Sequence, residues 1–424
     1  MIRTKRFSAA VLGLLLATAA CQNEKLNRPF AVTPVDQLFD RYVSMGNSLT
    51  AGFQSGGIND STQSQAYPVL LARAMHAPFF TPLMRQPGCP PPYTNVFTQT
   101  RLGGGAAPPC ALRKTQAVAP PFISNTAVPG AAVNDVYENV APRANQLTQF
   151  FLGGLTQVQM ARRAEPTFVS LWIGNNDVLS AATNSANAGD TTLITPVPVF
   201  QTRYDSLVDS IGVGMSPQGG ILVGVANVTR IPYFSRGSTY FAIKAGAVPG
   251  AAFPPNFVVT PNCAPPRGDS VLVPFPYGLP KIDSASAIPA GTFTLDCSVP
   301  QVVVPEELVR LVAAVTAYNA KISAVATAQG WAYFDPNPVF DSVALAGSIP
   351  AFPFAKRFDT GAVNGCAGAP AKTTPPTAPA TPPPFGLIFS CDGVHPSATA
   401  HRLIAQHLRS AINTQYTTAI PAIP

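Results

Sequence analysis

The chain has 424 residues, a length that suits one large domain or two ordinary ones, and its 46% hydrophobic content with 25 Phe supplies an ample core. Charged residues are only 11% and prolines number 46, which excludes a helical surface laced with ion pairs and points to long loops. Of the formal net charge of +7, three units come from Arg3, Lys5 and Arg6 near the start, and no Lys/Arg cluster interleaved with aromatics occurs, so nucleic acid is excluded as a partner.

Residues 1–6 form a basic stretch, and 9–20 an apolar run too short to span a bilayer, followed by small residues and Cys21. This reads as a secretory signal peptide over 1–20. Thr18-Ala19-Ala20-Cys21 resembles the lipobox of bacterial lipoproteins, with Thr18 where Leu is usual. The resemblance implies that Cys21 is acylated, that 21–40 is a tether, and that the protein sits on a membrane surface. Gln22, rather than Asp, then points to the outer membrane. Plain cleavage to a secreted protein is the alternative. No other run of about 20 apolar residues is seen.

After the tether, 42–46 is an apolar run that reads as a short buried strand ending at Gly46. Ser48 follows where the chain must turn toward a helix. Leu70, Leu71, Ala74 and Met75 give 64–77 a helical period. Residues 78–121 form a loop-rich insertion. The spacing predicts a second strand over 122–128, ending in Pro129-Gly130, a short helix near 134–137 and a longer helix over 143–164 that runs through Gly153-Gly154. The run 167–173 is apolar throughout, as for a central parallel strand buried on both faces. A helix over 198–213 and another central strand over 221–228 follow.

A second insertion, 232–300, is rich in Pro and aromatics and is expected to hold a few short strands. The clearest helix is 305–328, with Pro305 at its start, Glu306 and Glu307 in its first turn, and Gly330 after its end. A short strand over 331–334, a third insertion (344–390) with a low-complexity Pro/Ala/Thr stretch, and a terminal helix over 396–412 complete the chain. Alternating strands and helices predict an α/β fold with a parallel sheet, as one domain over 41–416.

Six cysteines follow Cys21, in three local pairs: Cys89 and Cys110, Cys263 and Cys297, Cys366 and Cys391. An even number in an exported chain reads as disulfides, and the sequential pairing is expected among the 15 that six cysteines allow. No C-x-x-C or nearby His completes a metal-ligand set, so no metal site is expected.

Four places carry candidate chemistry. Ser48 follows the first strand, Gly130 the second, Gly174-Asn175-Asn176-Asp177 the third, and Asp392-Gly393-Val394-His395 precedes the last helix. Each alone has an ordinary reading as a turn or helix cap. Together, at one edge of a doubly wound sheet, they supply a set. A nucleophilic Ser48 needs a base, and His395 qualifies; Asp392 can orient its imidazole within one turn. The Ser48 and Gly130 N–H groups and the Asn175 amide can serve a tetrahedral oxyanion. His76, His401 and His407 read as structural.

These blocks, with Gly46-Asn47-Ser48-Leu49 first, resemble the SGNH/GDSL esterase–lipase superfamily over most of 42–412. The resemblance implies a three-layer α/β/α sandwich with a flavodoxin-like sheet and no metal or organic cofactor. It makes Ser48 the nucleophile and first oxyanion donor, Gly130 and Asn175 the other donors, His395 the base and Asp392 its support. Asn47 departs from the family's Asp, and the long insertions exceed its compact core. The expectation is a serine ester hydrolase. Its substrate stays open between lipid or short-chain esters and acetylated cell-wall or plant polysaccharide. The alternative of another class is a surface lipoprotein that binds without catalysis.

Overall fold

In the computed structural model, which describes residues 33–105, 110, 112–114, 120–140, 144–352 and 384–423, four parallel strands build the central sheet. They are β1 (Tyr42–Gly46), β2 (Phe168–Trp172), β3 (Gly219–Val223) and β4 (Ala332–Phe334), adjacent in that order. The leader, Cys21, most of the tether and Cys366 lie outside the described residues. The register sets Gly46 beside Trp172, Trp172 beside Val223, and Val223 beside Phe334. All four strands therefore end level, and the turns that leave them share one edge. In an open parallel sheet that edge is where ligands bind.

Segment 124–128 runs parallel to the free edge of β1. The Ser44 N–H donates to Ser124 O (2.8 Å), and the Thr126 N–H donates back to Ser44 O (2.9 Å). The second chain segment thus lies outside the first, and the chain then crosses to build β2 to β4 on the other side. The predicted strand over 122–128 is reduced to this single bridge, Ser44 with Asn125. Two side chains, Asn125 and Gln157, compete with the backbone ladder. Asn125 donates to Thr50 O (2.9 Å) and accepts from the Ala127 N–H (3.2 Å), and although the Val128 N–H still donates to Gly46 O (3.1 Å), the Gly46 N–H goes to Gln157 Oε1 instead of the segment, so the ladder is incomplete.

Strand side chains alternate between two apolar layers, as a period of two requires. Val43, Met45, Val169, Leu171 and Leu222 join one core with α2 (Gln157–Arg162), α4 (Val197–Met215) and α5 (Pro305–Gln329). Tyr42, Phe168, Trp172, Ile221, Val223 and Phe334 join the other with α1 (Tyr67–Met75) and α6 (Ala398–Tyr416). The short α3 (Asn176–Ala182) leaves β2 at the sheet edge. The α/β/α layering expected from the sequence is present.

Other elements differ from the expectations. The helix predicted over 143–164 is two, Leu147–Leu152 and Gln157–Arg162. Gly153 (φ +64°) and Gly154 (φ +89°) end the first, and Thr156 caps the second by accepting the Gln159 N–H. Two adjacent glycines favour the left-handed turn over continued helix. The insertion 232–300 is more structured than predicted, with helices Gly237–Lys244 and Phe275–Ala287 beside its short strands. A further helix, Asn337–Leu345, precedes the third insertion's low-complexity stretch. Finally, α5 is long and apolar enough to cross a membrane by composition. It packs instead on α4, with Leu311, Val315, Tyr318 and Ile322 buried.

The pairs Cys89–Cys110 and Cys263–Cys297 form disulfides, as predicted. Cys391 is also disulfide-bonded.

Candidate active site

The turn after β1 is held before any catalytic group is placed. Gln157, fully buried at the start of α2, clasps Gly46 in both directions: its Oε1 accepts the Gly46 N–H and its Nε2 donates to Gly46 O, each at 2.8 Å. A side chain at Gly46 would meet the Trp172 carbonyl at 2.5 Å, so the strand end requires glycine. Asn47 then caps the helix Ser48–Ala51 by accepting the Leu49 N–H at 3.0 Å, while its Nδ2 is buried without a partner. Ser48 occupies the first helical position, where its N–H lies outside the helix's own ladder.

Ser48 Oγ is 2.9 Å from His395 Nε2, and His395 Nδ1 is 2.8 Å from Asp392 Oδ2. The Phe53 ring packs against the imidazole, with centroids 4.8 Å apart. Asp392 is heavily committed. Its Oδ1 accepts the Val394 and His395 N–H groups (2.9 and 2.8 Å) and the Ser390 hydroxyl (3.2 Å). Its Oδ2 accepts the Gly56 N–H at 2.6 Å besides facing His395. Burial alone would raise this carboxyl, but the His395 charge and these hydrogen bonds outweigh it and hold it at about 2. An ionised Asp392 only accepts, so Nδ1 carries the proton and the Nε2 lone pair faces the Ser48 hydroxyl.

The turn after segment 124–128 is tied to the turn after β2. Asn176 Nδ2 donates to Ala131 O at 2.8 Å, and Asp177 Oδ2 accepts the Val133 N–H at 2.9 Å. Gly130, at φ +79°, lies at the exposed tip between Pro129 and Ala131. Asp177 is itself buried, and its Oδ1 accepts the Thr195 hydroxyl at 2.8 Å. Burial pushes its carboxyl up to about 6; the Val133 and Thr195 bonds oppose the rise, the nearby Asp135 adds to it, and Arg203 opposes it.

A cavity over Ser48 is lined by His395, Asn175 and Asn176 as well. The structure therefore joins Ser48, His395 and Asp392 by direct bonds and sets Asn175 beside them. Gly130 does not line that cavity, and its link to it runs through the Ala131–Asn176 bond. The sequence reading passed over Asn176, Asp177 and Gln157. Asn176 and Asp177 stand in the same Gly-Asn-Asn-Asp block, but neither spacing nor residue type tells which amide is anchored. His401 is fully buried and takes the Tyr67 N–H on Nδ1 at 3.3 Å, a structural contact. Among the described residues no group of three His, Cys, Asp or Glu side chains could hold a metal ion.

No protein-family model matches this chain, and no curated protein matches it. Solved structures similar in fold include an acetylxylan esterase from Geobacillus stearothermophilus, at 12% identity and a TM-score of 0.34, covering 88% of this chain and 94% of that one. Another is a GDSL-like lipase from Parabacteroides merdae, at 11% identity and a TM-score of 0.33, covering 90% of this chain and 99% of that one. Likeness this distant decides nothing about activity, and the chemistry rests on the residues gathered around Ser48.

Proposed function

We propose that this protein is a serine carboxylic-ester hydrolase. The observation that carries the reading is the unbroken chain Ser48 Oγ, His395 Nε2, His395 Nδ1, Asp392 Oδ2, with both contacts below 3 Å. His395 removes the Ser48 proton as Oγ bonds to the ester carbonyl carbon. The same proton passes from Nε2 to the alcohol oxygen as the C–O bond breaks, leaving an acyl-enzyme. A water, deprotonated by His395, then releases the acid and regenerates Ser48.

The developing oxyanion needs donors fixed in advance. The Ser48 N–H, at the cavity itself, is one, and the Gly130 N–H, on the turn tied to the cavity through the Ala131–Asn176 bond, is the second. The third is the Asn176 amide rather than that of Asn175. One N–H of the Asn176 amide is anchored on Ala131 O, which orients the other. The Asn175 amide has no such anchor, and its Oδ1 is buried without a partner.

The test is hydrolysis of p-nitrophenyl acetate by mature protein lacking Cys21, beside Ser48→Ala. Wild-type turnover, lost in a folded Ser48→Ala, is expected, together with fluorophosphonate labelling of Ser48. A folded wild-type protein with neither activity nor labelling would overturn the reading in favour of a binding protein. The disulfides support an oxidising compartment outside the cytoplasm. Anchoring through an acylated Cys21 is part of the same proposal, and Cys21→Ser should release the protein from the membrane fraction.

A further inference from the structure

Two cavities meet at the His395 ring, and their walls are held differently. A cleft of about 400 Å³, lined by Tyr93, Phe97, Tyr233 and Phe275, is fastened to the catalytic loop. Arg101 donates to Gly56 O at 2.8 Å, and the Gly56 N–H reaches Asp392. The Tyr233 N–H donates to Gly393 O, and the Phe275 N–H to Tyr233 O, each at 2.9 Å. The cavity over Ser48 is much smaller, about 50 Å³. Leu49 and Trp172 line it from the sheet edge, Ile231 from the loop after β3, and Phe340 from the helix Asn337–Leu345 after β4.

The wall supplied by that helix is thin. Asn337, Phe340 and Asp341 stand at i, i+3 and i+4 and so share the face that lines the cavity, yet no residue of the helix is buried. Its root is tied down: Asn337 Oδ1 accepts the Asn227 N–H at 2.7 Å, and Asn337 Nδ2 donates to Val225 O at 3.0 Å. One turn on, the Phe340 ring stacks on Phe389 with centroids 5.9 Å apart, and the Arg230 guanidinium pairs with the Asp341 carboxylate. Apart from His395, Arg230 and Asp341 are the charged residues that line this cavity. Their side chains are 54% and 41% exposed, which puts the pair at the mouth. An element with few buried contacts belongs to the part of a fold that opens locally at small cost.

Building on the ester-hydrolase reading, we propose that the Arg230–Asp341 pair is a latch that sets which acyl groups Ser48 accepts. The acyl group stays bonded to Ser48 Oγ through the intermediate, so it occupies the cavity that Ser48 lines; the cleft does not reach Ser48. On the scale where one water needs ~10–15 Å³, the closed cavity holds about four atoms of that size. An acetyl group has three non-hydrogen atoms and fits with the latch shut. An octanoyl group has nine, and it needs the helix swung outward about Asn337, with Arg230 parted from Asp341 and Phe340 lifted from Phe389. The strength of the pair is thus subtracted from the binding of long acyl groups and not from that of short ones. An exposed ion pair shifts such an equilibrium by up to about fivefold, and salt weakens it.

The experiment measures kcat/KM for p-nitrophenyl octanoate against acetate at low and high salt. The proteins are wild type, Asp341→Asn, Arg230→Gln and the charge swap that combines Arg230→Asp with Asp341→Arg. The octanoate-to-acetate ratio should rise about three- to fivefold in each single variant and return toward the wild-type value in the swap. Salt should raise the ratio in wild type and leave it level in Asp341→Asn, and that series stays readable if a variant does not fold. A ratio that is constant across variants and salt, or that falls in the single variants, overturns the latch and leaves the hydrolase standing. A swap that behaves as the single variants do also overturns it, because the two charges then do not act as a pair. So does fluorophosphonate labelling of Ser48 without turnover of either ester. Absence of both turnover and labelling overturns the hydrolase reading itself.

Discussion

The Val133 N–H donates to Asp177 Oδ2 at 2.9 Å, and this bond joins the turn that carries Gly130 to the first turn of α3 that carries Asn176. Neither residue faces the cavity over Ser48. Asp177 is therefore a positioning residue for the oxyanion donors. In Asp177→Asn one acceptor oxygen remains for two donors, Val133 N–H and the Thr195 hydroxyl. A buried donor left unpaired costs about 1–3 kcal/mol. We expect kcat to fall about tenfold with KM little changed; an unchanged kcat would show that the Gly130 turn holds itself.

The same variant has a pH signature. Asp177 is raised to about 6 in the fold, with Asp135, Arg203 and the Tyr318 ring facing it. A raised carboxyl binds more protons folded than unfolded, so wild-type stability falls as pH climbs from about 4 to about 6 and is flat above. Asp177→Asn removes that fall. Denaturant midpoints for both proteins at about pH 4.5 and about pH 7 should show wild type losing ground by about 2 kcal/mol relative to the variant.

Asn175 and Asn176 are separated by a paired experiment. Loss of the anchored donor in Asn176→Ala should lower kcat on the order of 10²–10³. Asn175→Ala should cost far less, because it removes an amide whose oxygen is already buried without a partner. The reverse order, measured by steady-state kinetics, would return the role to Asn175.

Asp392→Asn should lower kcat on the order of 10⁴, since an amide no longer fixes the His395 tautomer. It also leaves the Gly56, Val394 and His395 N–H groups sharing one acceptor. Asp392 is held at about 2, so its stabilising contribution is present above about pH 4 and is lost as pH falls toward 2. The stability gap between wild type and Asp392→Asn should therefore narrow on acidification. A gap that stays constant from neutral pH to about pH 2 would contradict the ionised, paired carboxylate.

Gly46→Ala tests the strand end. Its Cβ would meet Trp172 O at 2.5 Å and would also crowd Thr50 Oγ1, and the backbone carbonyl cannot give way cheaply. A loss of about 1–3 kcal/mol by thermal or urea denaturation is expected, with a fall in activity from the displaced Ser48.

By itself the sequence determined the α/β class with a parallel sheet, because strand alternation and helix period are local properties that burial only confirms, while the three layers came from the family resemblance. It also determined the triad candidates. A serine after a strand and an Asp-x-x-His before a helix are short motifs whose geometry is set within one turn. The local cysteine pairs 89–110 and 263–297 were legible for the same reason. Only the tertiary structure decided which asparagine is anchored, because Asn175 and Asn176 are equal in type and spacing, and Ala131 O lies 45 positions from the amide it receives. It alone showed that Gln157 clasps Gly46 across 111 positions, and that Asp177 bridges two turns. The same holds for the meeting at His395 of the cavity over Ser48 with a cleft lined by Tyr93, Phe97, Tyr233 and Phe275. The walls of that cleft come from two insertions far apart in the chain, and no periodicity in either records that their hydrogen bonds end on one catalytic loop.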